Sequence, residues 1–426
     1  MKIIFQDARI LAMNDLPIIR GDLVVDGNRI VYIGPNGSKL GPFDRAIPCD
    51  GNVLLPGFKN AHNHSAMTFL RSYADDLSLH DWLYNWVFPI EAKLQPSDVY
   101  HLTKLAFAEY LTSGITANFD MYYFPKEIAR ASVDFGMRTI ILGTPTSFKE
   151  SISGLRENYL SINGKSDLVS FRLGFHAEYT STPEMLSSLS ILSHEFQAPV
   201  FTHISETQRE VDGCVQRHGA TPAVYFEKLG LFDYGGGGFH GVFLTDEDLE
   251  IFKRRNLHIV TCPSSNTKLA SGIAPVQKFL DYGLNVAIGT DGPASNNCLD
   301  FFREMFLVTG LSKLKTMDPT SLDGYQVLKM ATVGGSKALG LTEIDTLEVG
   351  KIADIIMIDL KRPNMQPLNN IDKNIIYSGS KENVKLTMIN GRILYENGSF
   401  FLDEPIEHIY NHAQEVTDRL KSEMTK

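Results

Sequence analysis

Short apolar runs alternate with longer amphipathic segments through the middle of the chain, and this alternation most constrains its fold. Eight runs can be counted as strands: NVLLPGF, ITANFDM, RTIILGT, RLGFHAE, PVFTHIS, GFHGVFL, HIVTCPS and NVAIGTD. Between them lie predicted helices, such as the segment from Pro96 to Gly114. Strands separated by helices indicate a parallel sheet. Eight such units over about 290 residues predict an α/β fold, a (β/α)8 TIM-type barrel; a doubly wound open sheet is the alternative, since periodicity does not show closure.

The two ends of the chain carry a different pattern, in which apolar and polar residues alternate around turn signals. Asp26-Gly27-Asn28 near the start and Asn390-Gly391 near the end predict hairpins. We therefore expect one composite β-sandwich domain from residues 1–56 and 346–405, a barrel over residues 57–345 and a C-terminal helix over residues 406–426. Two separate small sheets would leave the same pattern.

Charge and composition disfavour several classes of partner. The 426 residues carry a formal net charge of -10, whereas nucleic acids and anionic membranes require a basic face. The N-terminal segment lacks the apolar core of a signal peptide, and no run approaches 18 apolar residues. The four cysteines are far apart, which indicates free thiols in a reducing compartment. We expect a cytoplasmic enzyme with a small-molecule partner, and a homodimer or higher homo-oligomer only because such assemblies are common.

Histidines and an aspartate recur at the ends of the predicted strands. His62 and His64 follow the first strand, His203 ends the fifth and Asp291 ends the eighth. Because the carboxyl ends of barrel strands meet at one rim, these four side chains are candidate ligands of one metal ion. Three imidazoles and one carboxylate suit Zn²⁺, and Fe²⁺ or Mn²⁺ are alternatives. A lone histidine of this kind is more often a rim residue that binds a loop, but four that converge favour a metal site.

Further polar residues share the predicted rim. Glu206 lies three residues after His203, His240 is on the sixth strand and His176 on the fourth. Taken singly, His240 and His176 are as often structural as functional, because strand-end histidines commonly bind backbone groups. Two-metal barrel hydrolases commonly bridge their ions through a modified lysine on the fourth strand. That strand has no lysine here, so we expect a single ion.

Motifs in a characteristic order span almost the whole chain. They are LLPGFKNAHNH, DWLYNWVFPIE, GITANFDMYY, FGMR, HAEYTST, THISET, CPSSNTKLASGIAPV, GTDGPASNN and GKIADIIMID. In these motifs the chain resembles the amidohydrolase superfamily, specifically its cytosine-deaminase-like branch. That branch includes 5'-methylthioadenosine/S-adenosylhomocysteine deaminases and triazine hydrolases.

The resemblance implies a role for each matching residue. It implies the metal ligands His62, His64, His203 and Asp291. It also implies three catalytic groups, which are Glu206 as proton shuttle, His240 as the residue that positions water, and Asp291. It implies the substrate contacts Trp82, Glu91, Arg138, Arg156, His176 and Ser295. Other interpretations compete, since Trp82 and Trp86 at helical spacing are more often core residues and Arg138 would also suit an ion pair.

The implied reaction is hydrolytic removal of the 6-amino group of an adenosine derivative, with release of ammonia. The candidate substrates are 5'-methylthioadenosine, 5'-deoxyadenosine, adenosine and S-adenosylhomocysteine. The alternative substrates are guanine, a pterin, cytosine and a triazine. A third hypothesis is a non-catalytic scaffold protein, which the complete set of metal ligands disfavours. Glu178 follows His176 closely where relatives commonly have a proline, and its charge would repel the carboxylate of an amino-acid tail. We therefore expect neutral nucleosides to be preferred over S-adenosylhomocysteine.

Overall fold

A computed structural model describes residues 1–145 and 151–425 of the chain. These residues form two sheets. Their strands are β1 (Lys2–Ile10), β2 (Ile19–Asp26), β3 (Arg29–Gly34), β4 (Arg45–Pro48), β5 (Val53–Pro56), β6 (Phe58–Asn63), β7 (Ile115–Met121), β8 (Arg138–Leu142), β9 (Val169–Gly174), β10 (Val200–Ile204), β11 (Gly236–His240), β12 (His258–Thr261), β13 (Asn285–Ile288), β14 (Ile355–Ile358), β15 (Val384–Ile389), β16 (Arg392–Glu396) and β17 (Ser399–Phe400).

Strands β6 to β13 follow one another in sequence order around a parallel barrel. The first and last strands are joined mainly through one side chain. Asn60 donates to Thr290 Oγ1 at 2.7 Å and accepts the Thr290 N–H at 2.9 Å. The Asp291 N–H also donates to the His62 carbonyl at 3.0 Å. The predicted TIM-type barrel is confirmed.

Helices connect the barrel strands or follow the last of them. They are α1 (Leu79–Trp82), α2 (Phe88–Glu91), α3 (Pro96–Thr112), α4 (Pro125–Phe135), α5 (Ile152–Ile162), α6 (Pro183–Phe196), α7 (Gln208–His218), α8 (Pro222–Lys228), α9 (Asp246–Arg254), α10 (Pro263–Lys268), α11 (Val276–Asp281), α12 (Phe301–Thr316), α13 (Gly324–Lys329), α14 (Gly335–Leu339), α15 (Ile371–Tyr377) and α16 (Ile406–Met424). Helix α3 has the bounds that Pro96 and Gly114 predict, because proline suits the first turn and Gly114 adopts a positive φ of 76°. Among the described residues, no helix is long and apolar enough to cross a membrane.

The first predicted strand, NVLLPGF, is in fact divided between the two sheets. Residues Val53–Pro56 pair with β1 and β14, whereas the barrel strand begins at Phe58. Gly57 makes the crossing between them. A Cβ at Gly57 would lie 2.1 Å from the Thr116 side chain, so only glycine fits where the chain passes from one sheet to the other.

Strands from both ends of the chain form a single mixed sheet, as the alternating termini predict. Its order is β17-β16-β15-β14-β5-β1-β2-β3, with β4 parallel to β1. Gly27-Asn28 and Asn390-Gly391 make the predicted hairpin turns between paired strands. The expected sandwich thus takes the form of one sheet, and the residue boundaries given above for the domains stay predictions.

Three apolar clusters hold these layers together. One lies between the barrel and its helices, and one covers the sheet from the two ends. The third fills the inside of the barrel around Phe119, Phe201 and Phe239, whose rings lie 5.0 to 6.3 Å apart. Because the interior is filled, polar side chains at the two ends of the barrel form separate sites.

Candidate metal centre and active site

The candidate site lies at the carboxyl ends of the barrel strands. Strand β6 provides His62, with His64 just beyond it; β10 provides His203 and β11 ends at His240. Asp291 follows β13 by three residues. His240 and Asp291 have positive φ angles of 71° and 57°, a strained backbone that commonly marks functional residues.

Four ligand atoms, one each from His62, His203, His240 and Asp291, lie within 4.8 Å of one another. His64 adjoins the same group, since its Nε2 lies 3.2 Å from Asp291 Oδ1. The Nε2 of His62 lies 3.5 Å from that oxygen. All five side chains are buried or nearly so, with donor atoms aimed at one point.

Backbone carbonyls fix the tautomers of two of these histidines. His64 Nδ1 lies 2.6 Å from the Met121 carbonyl, and His203 Nδ1 lies 2.6 Å from the His176 carbonyl. A carbonyl only accepts, so each Nδ1–H donates, and Nε2 is the nitrogen that carries the lone pair of the neutral ring. His240 Nδ1 faces Asn266 Oδ1 at 2.8 Å in the same way. Bonds of this kind are typical of metal-binding histidines.

His62 gives the most direct evidence that the site fits a metal ion. Its ring is fully buried, and neither nitrogen has a hydrogen-bond partner among the described residues. Burial lowers the pKa of His62 to about 3, so the ring is neutral. Buried polar nitrogens are rarely left without a partner, and a divalent cation would satisfy one of them.

Asp291 supplies a fixed negative charge opposite the imidazoles. Burial opposes its ionisation, but its contacts with His62 and His64 outweigh burial and hold its pKa well below the ordinary range. The other carboxylate oxygen, Oδ2, accepts hydroxyls from Ser265 at 2.5 Å and Ser295 at 3.0 Å. Ser295, expected to contact substrate, thus holds Asp291 and also lines the pocket.

Glu206 faces the same centre as a buried acid. Its Oε2 lies 3.9 Å from His240 Nε2, and its Oε1 accepts the Ser271 hydroxyl at 3.3 Å. Burial raises the pKa of Glu206, which favours the protonated carboxyl. The arrangement therefore places a proton donor beside the imidazoles of the candidate site.

Glu210 is a contributor that sequence reasoning missed. Its two carboxylate oxygens accept the backbone N–H groups of Ser205 and Glu206, each at 2.8 Å. Ser205 has a positive φ of 50°, so these bonds hold a strained turn that carries Glu206. A glutamate four residues after Glu206, in the first turn of α7, was the available signal.

A largely apolar pocket opens above these groups. Its floor includes His64, His203, Glu206, His240 and Asp291. Its walls are built from Leu79, Trp82, Leu83, Val87, Phe88, Met121, Tyr122, Tyr123, Tyr179 and Leu269. Flat apolar walls above a polar floor suit an aromatic heterocycle whose polar edge faces the histidines.

Three of the other sequence-predicted contacts line this pocket. Trp82 is 6% exposed in its wall, whereas Trp86 is 43% exposed and outside the core. Glu91 accepts the Tyr122 hydroxyl at 2.6 Å. The Thr180 hydroxyl donates to the Ala177 carbonyl, so His176 Nδ1–H donates to Thr180 and leaves Nε2 as an acceptor.

The structure places Arg138 and Arg156 away from the pocket, which corrects both expectations. Arg138 begins β8 at the opposite end of the barrel, and its guanidinium binds both oxygens of Asp354 at 3.0 and 3.1 Å. Arg156 lies on the outer surface of α5 and pairs with Glu195 at 2.7 Å. A residue at the start of a barrel strand or on an outer helix face cannot reach the carboxyl-end rim.

Glu178 also differs from expectation. Its carboxylate is buried and binds Arg217, with an Nε–Oε1 distance of 2.9 Å, and His218 at 3.0 Å. A carboxylate matched by a guanidinium presents little charge to a ligand. Glu178 therefore gives no reason to disfavour a substrate with an amino-acid tail.

Comparison with known proteins gives consistent matches. The family model described as "Amidohydrolase family" matches residues 53–394. A 5-methylthioadenosine/S-adenosylhomocysteine deaminase of Syntrophomonas wolfei is 41% identical over 387 residues, which cover 89% of this chain and 90% of the relative. An adenosine deaminase from Xanthomonas campestris, crystallised with bound zinc, superposes with a TM-score of 0.93 at 30% identity and covers 99% and 98% of the two chains. A zinc-complexed atrazine chlorohydrolase from Arthrobacter aurescens, at 21% identity over 97% and 100% of the chains, superposes with a TM-score of 0.89 and shares the fold.

Proposed function

The chain belongs to the amidohydrolase family, and from this membership we propose that it is a metal-dependent hydrolase that removes the 6-amino group of an adenosine derivative as ammonia. The observation that carries the proposal is the position of Glu206. A buried carboxyl with a raised pKa lies beside His240, across the compact group of imidazoles. Deamination of an amidine ring needs both a nucleophile and a nearby proton donor.

We propose that His62, His64, His203 and Asp291 hold one divalent ion. Zn²⁺ is supported by the donor set and by the zinc bound in the Xanthomonas campestris relative, with Fe²⁺ or Mn²⁺ as alternatives. When bound, the ion makes water acidic enough to act as a nucleophile at neutral pH. We assign His240 to the water rather than the ion, because its Nε2 faces the Glu206 carboxyl, at 3.9 Å from Oε2.

The chain's own residues then move the protons. Glu206 donates from its carboxyl to a ring nitrogen, which makes the amine-bearing carbon electrophilic. Asp291 accepts a proton from the attacking water, which His240 orients. The amine leaves as ammonia after a further proton transfer, and the ring retains the water oxygen as a carbonyl.

The wall residues support a nucleoside as substrate. Trp82 offers an aromatic face, while Glu91 and the free Nε2 of His176 are acceptors suited to sugar hydroxyls. Relatives named as 5-methylthioadenosine/S-adenosylhomocysteine deaminases are 41% and 38% identical to this chain. The Arg217 guanidinium balances the charge of the Glu178 carboxylate, so that carboxylate does not disfavour S-adenosylhomocysteine. S-adenosylhomocysteine is therefore a candidate substrate together with 5'-methylthioadenosine, 5'-deoxyadenosine and adenosine.

A substrate screen tests this function. The metal-loaded protein is offered the four nucleosides together with guanine, a pterin, cytosine and a triazine, and ammonia release and loss of adenine absorbance are recorded. We expect one ammonia for each adenine chromophore lost. Ammonia from none of the nucleosides would contradict the proposal, and release from another ring would replace the substrate class. Substoichiometric metal with unchanged folding after chelation would favour a non-catalytic scaffold.

The role of Glu206 gives a sharper test. Glu206→Gln removes the acidic proton while keeping the side-chain shape, so we expect turnover to fall by roughly 10²- to 10⁴-fold with full metal content. Glu247→Gln, on the exposed surface of α9, is the matched control and should leave turnover unchanged. Wild-type turnover in metal-loaded Glu206→Gln would refute the assignment.

The net charge and the cysteines of the chain bear on its partner and its cellular compartment. The net charge of -10 supports a small-molecule partner rather than nucleic acid. The four cysteines are free thiols, three of them buried, which supports a reducing compartment, and we propose the cytoplasm. The expected homo-oligomer stays a prediction.

A further inference from the structure

A second cavity lies at the other end of the barrel, where the strands begin. Its volume is about 440 Å³, and it lies beneath the first residues of β10, β11 and β12. Arg172, Arg255, His258 and Lys337 line it, with Tyr234 at one side. The aromatic cluster around Phe119, Phe201 and Phe239 separates this cavity from the catalytic pocket.

Arg172 is the unusual group in this cavity. Its neighbours Phe171 and Leu173 pack against the outer helices, so Arg172 points toward the barrel axis. Within residues 1–145 and 151–425 its guanidinium has no hydrogen bond and no ion pair. Burial lowers the pKa of Arg172, which reflects the cost of a partly buried cation without a counter-charge.

The other charges do not supply this counter-charge. In the described part of the chain, Asp233 is the only carboxylate that lines the cavity, and it already binds Arg255 at 3.0 Å and His194 at 3.0 Å. Lys337 likewise has no ion pair there. Within the described residues, two cations without an ion pair therefore line one cavity of a protein whose formal net charge is -10.

His258 adds a neutral donor. Burial, followed by the charge of Lys337, lowers its pKa to about 4. The Asn285 amide donates both to the Gly334 carbonyl and to His258 Nδ1, at 3.0 and 3.1 Å, so the ring hydrogen is on Nε2. A guanidinium fork, an ammonium and an imidazole N–H together match the oxygens of a phosphate group.

We propose that this cavity is a second ligand site that binds a small phosphate-bearing anion, separate from the deamination site. Arg172 binds two phosphate oxygens through its fork, and Lys337 supplies the second positive charge at the rim. The cavity is larger than one phosphate group, which leaves space beside Tyr234 for the organic part of a phosphate monoester.

Calorimetric titration of the metal-loaded protein at constant ionic strength tests the proposal. The probes are inorganic phosphate and ribose 5-phosphate, with sodium chloride as the salt control. We expect saturable binding of one phosphate group per chain, weakened at least tenfold in Arg172→Gln and in Lys337→Ala. Lys315→Ala, which removes an exposed lysine on α12, is the matched control and should bind like the wild type.

Each outcome bears on the proposal. Binding of either probe that is lost in both cavity variants supports it, and the tighter probe identifies free phosphate or a phosphate ester as the source. Binding that survives in both variants would assign the anion to another place, including the metal centre, and would overturn the proposal. Absence of binding by both probes would overturn it as well. Lys337→Ala keeps the test decisive if Arg172→Gln fails to fold, because Lys337 is exposed.

Discussion

The chemistry of the catalytic rim depends on how its side chains are held from behind. Backbone carbonyls of Met121 and His176 hold two of the imidazoles, and Glu210 holds the turn that carries Glu206. Sequence motifs predicted the groups that face the site, because residue type and strand-end position are visible in the chain. They could not predict the supporting carbonyls, because any residue supplies a carbonyl and only the fold brings it near.

The two hydrogen bonds of Glu210 predict that its replacement slows the reaction. In Glu210→Gln the amide has one acceptor oxygen, so one of the two backbone N–H groups loses its partner and the turn shifts. We expect kcat to fall by roughly 10- to 100-fold with KM within about twofold, because misplacing a catalytic group slows chemistry more than binding. Steady-state kinetics at equal metal content measure both constants.

Two results would contradict this role for Glu210. One is an unchanged kcat, and the other is a rise in KM that accounts for the whole loss of kcat/KM. Glu247→Gln again serves as the matched control on an exposed helix.

At the scale of elements, the barrel strands were predictable and their boundaries with the second sheet were not. Val53–Pro56 and Phe58–Asn63 form one apolar stretch, so periodicity alone gives no sign that the two halves pair with different sheets. Gly57 marks the change, but its role depends on Thr116, which lies far along the chain. Arg138 and Arg156 were misplaced for a related reason, since matching motifs show which strand or helix a residue occupies but not the end or face that it reaches.

The close contact between β13 and β6 predicts that a larger residue at Gly289 disturbs the metal centre. A Cβ at Gly289 would lie 2.8 to 2.9 Å from backbone and Cβ atoms of His62, so Gly289→Ala must displace that residue. We expect metal affinity to fall at least tenfold and stability to fall by about 1–3 kcal/mol, as for other overpacked cores. Metal analysis after dialysis and chemical denaturation measure the two effects.

Gly310→Ala is the control for this substitution. Nothing lies within 4 Å of a Cβ at Gly310, which is inside helix α12, and alanine favours a helix by about 0.5–1 kcal/mol. Its metal content should be unchanged and its stability equal or higher. Full metal binding by Gly289→Ala would show that β13 and β6 tolerate separation.

Across the whole molecule, buried charges at the amino end of the barrel connect it to the sheet made from the chain ends. Asp354, just before β14, binds Arg138 and accepts the Asn390 N–H at 2.7 Å, while its carbonyl accepts the Gly57 N–H at 3.0 Å. Lys59 lies fully buried nearby and donates to the Gly57 carbonyl at 2.6 Å. The bonds of Asp354 with Arg138 and with Gly57 join residues more than 200 positions apart in the sequence, which is why composition and periodicity did not predict them.

Lys59 makes stability depend on pH. Burial lowers its pKa from 10.5 to about 7 in the folded protein, so between these values the unfolded chain binds more protons. The contribution of Lys59 to the free energy of unfolding therefore rises with pH, by up to about 1.4 kcal/mol per pH unit. Lys59→Met binds no proton in either state.

The measurement is chemical denaturation of both proteins between pH 7 and pH 10. We expect the unfolding free energy of the wild type, minus that of Lys59→Met, to increase with pH. Subtracting the variant removes the contributions of all other titrating groups. A difference that stays constant over this range would mean that Lys59 keeps its ordinary pKa in the folded protein.

The sheet shared by the two ends of the chain also sets an order of events during translation. Strand β5 pairs with β14, about 300 residues further along. At about 5–20 residues per second, β5 leaves the ribosome roughly 15 to 60 seconds before its partner is made. Throughout that interval one edge of β5, which is buried in the folded protein, has no partner strand. The nascent chain is therefore open to chaperone binding and to aggregation until the last quarter of the chain completes the sheet.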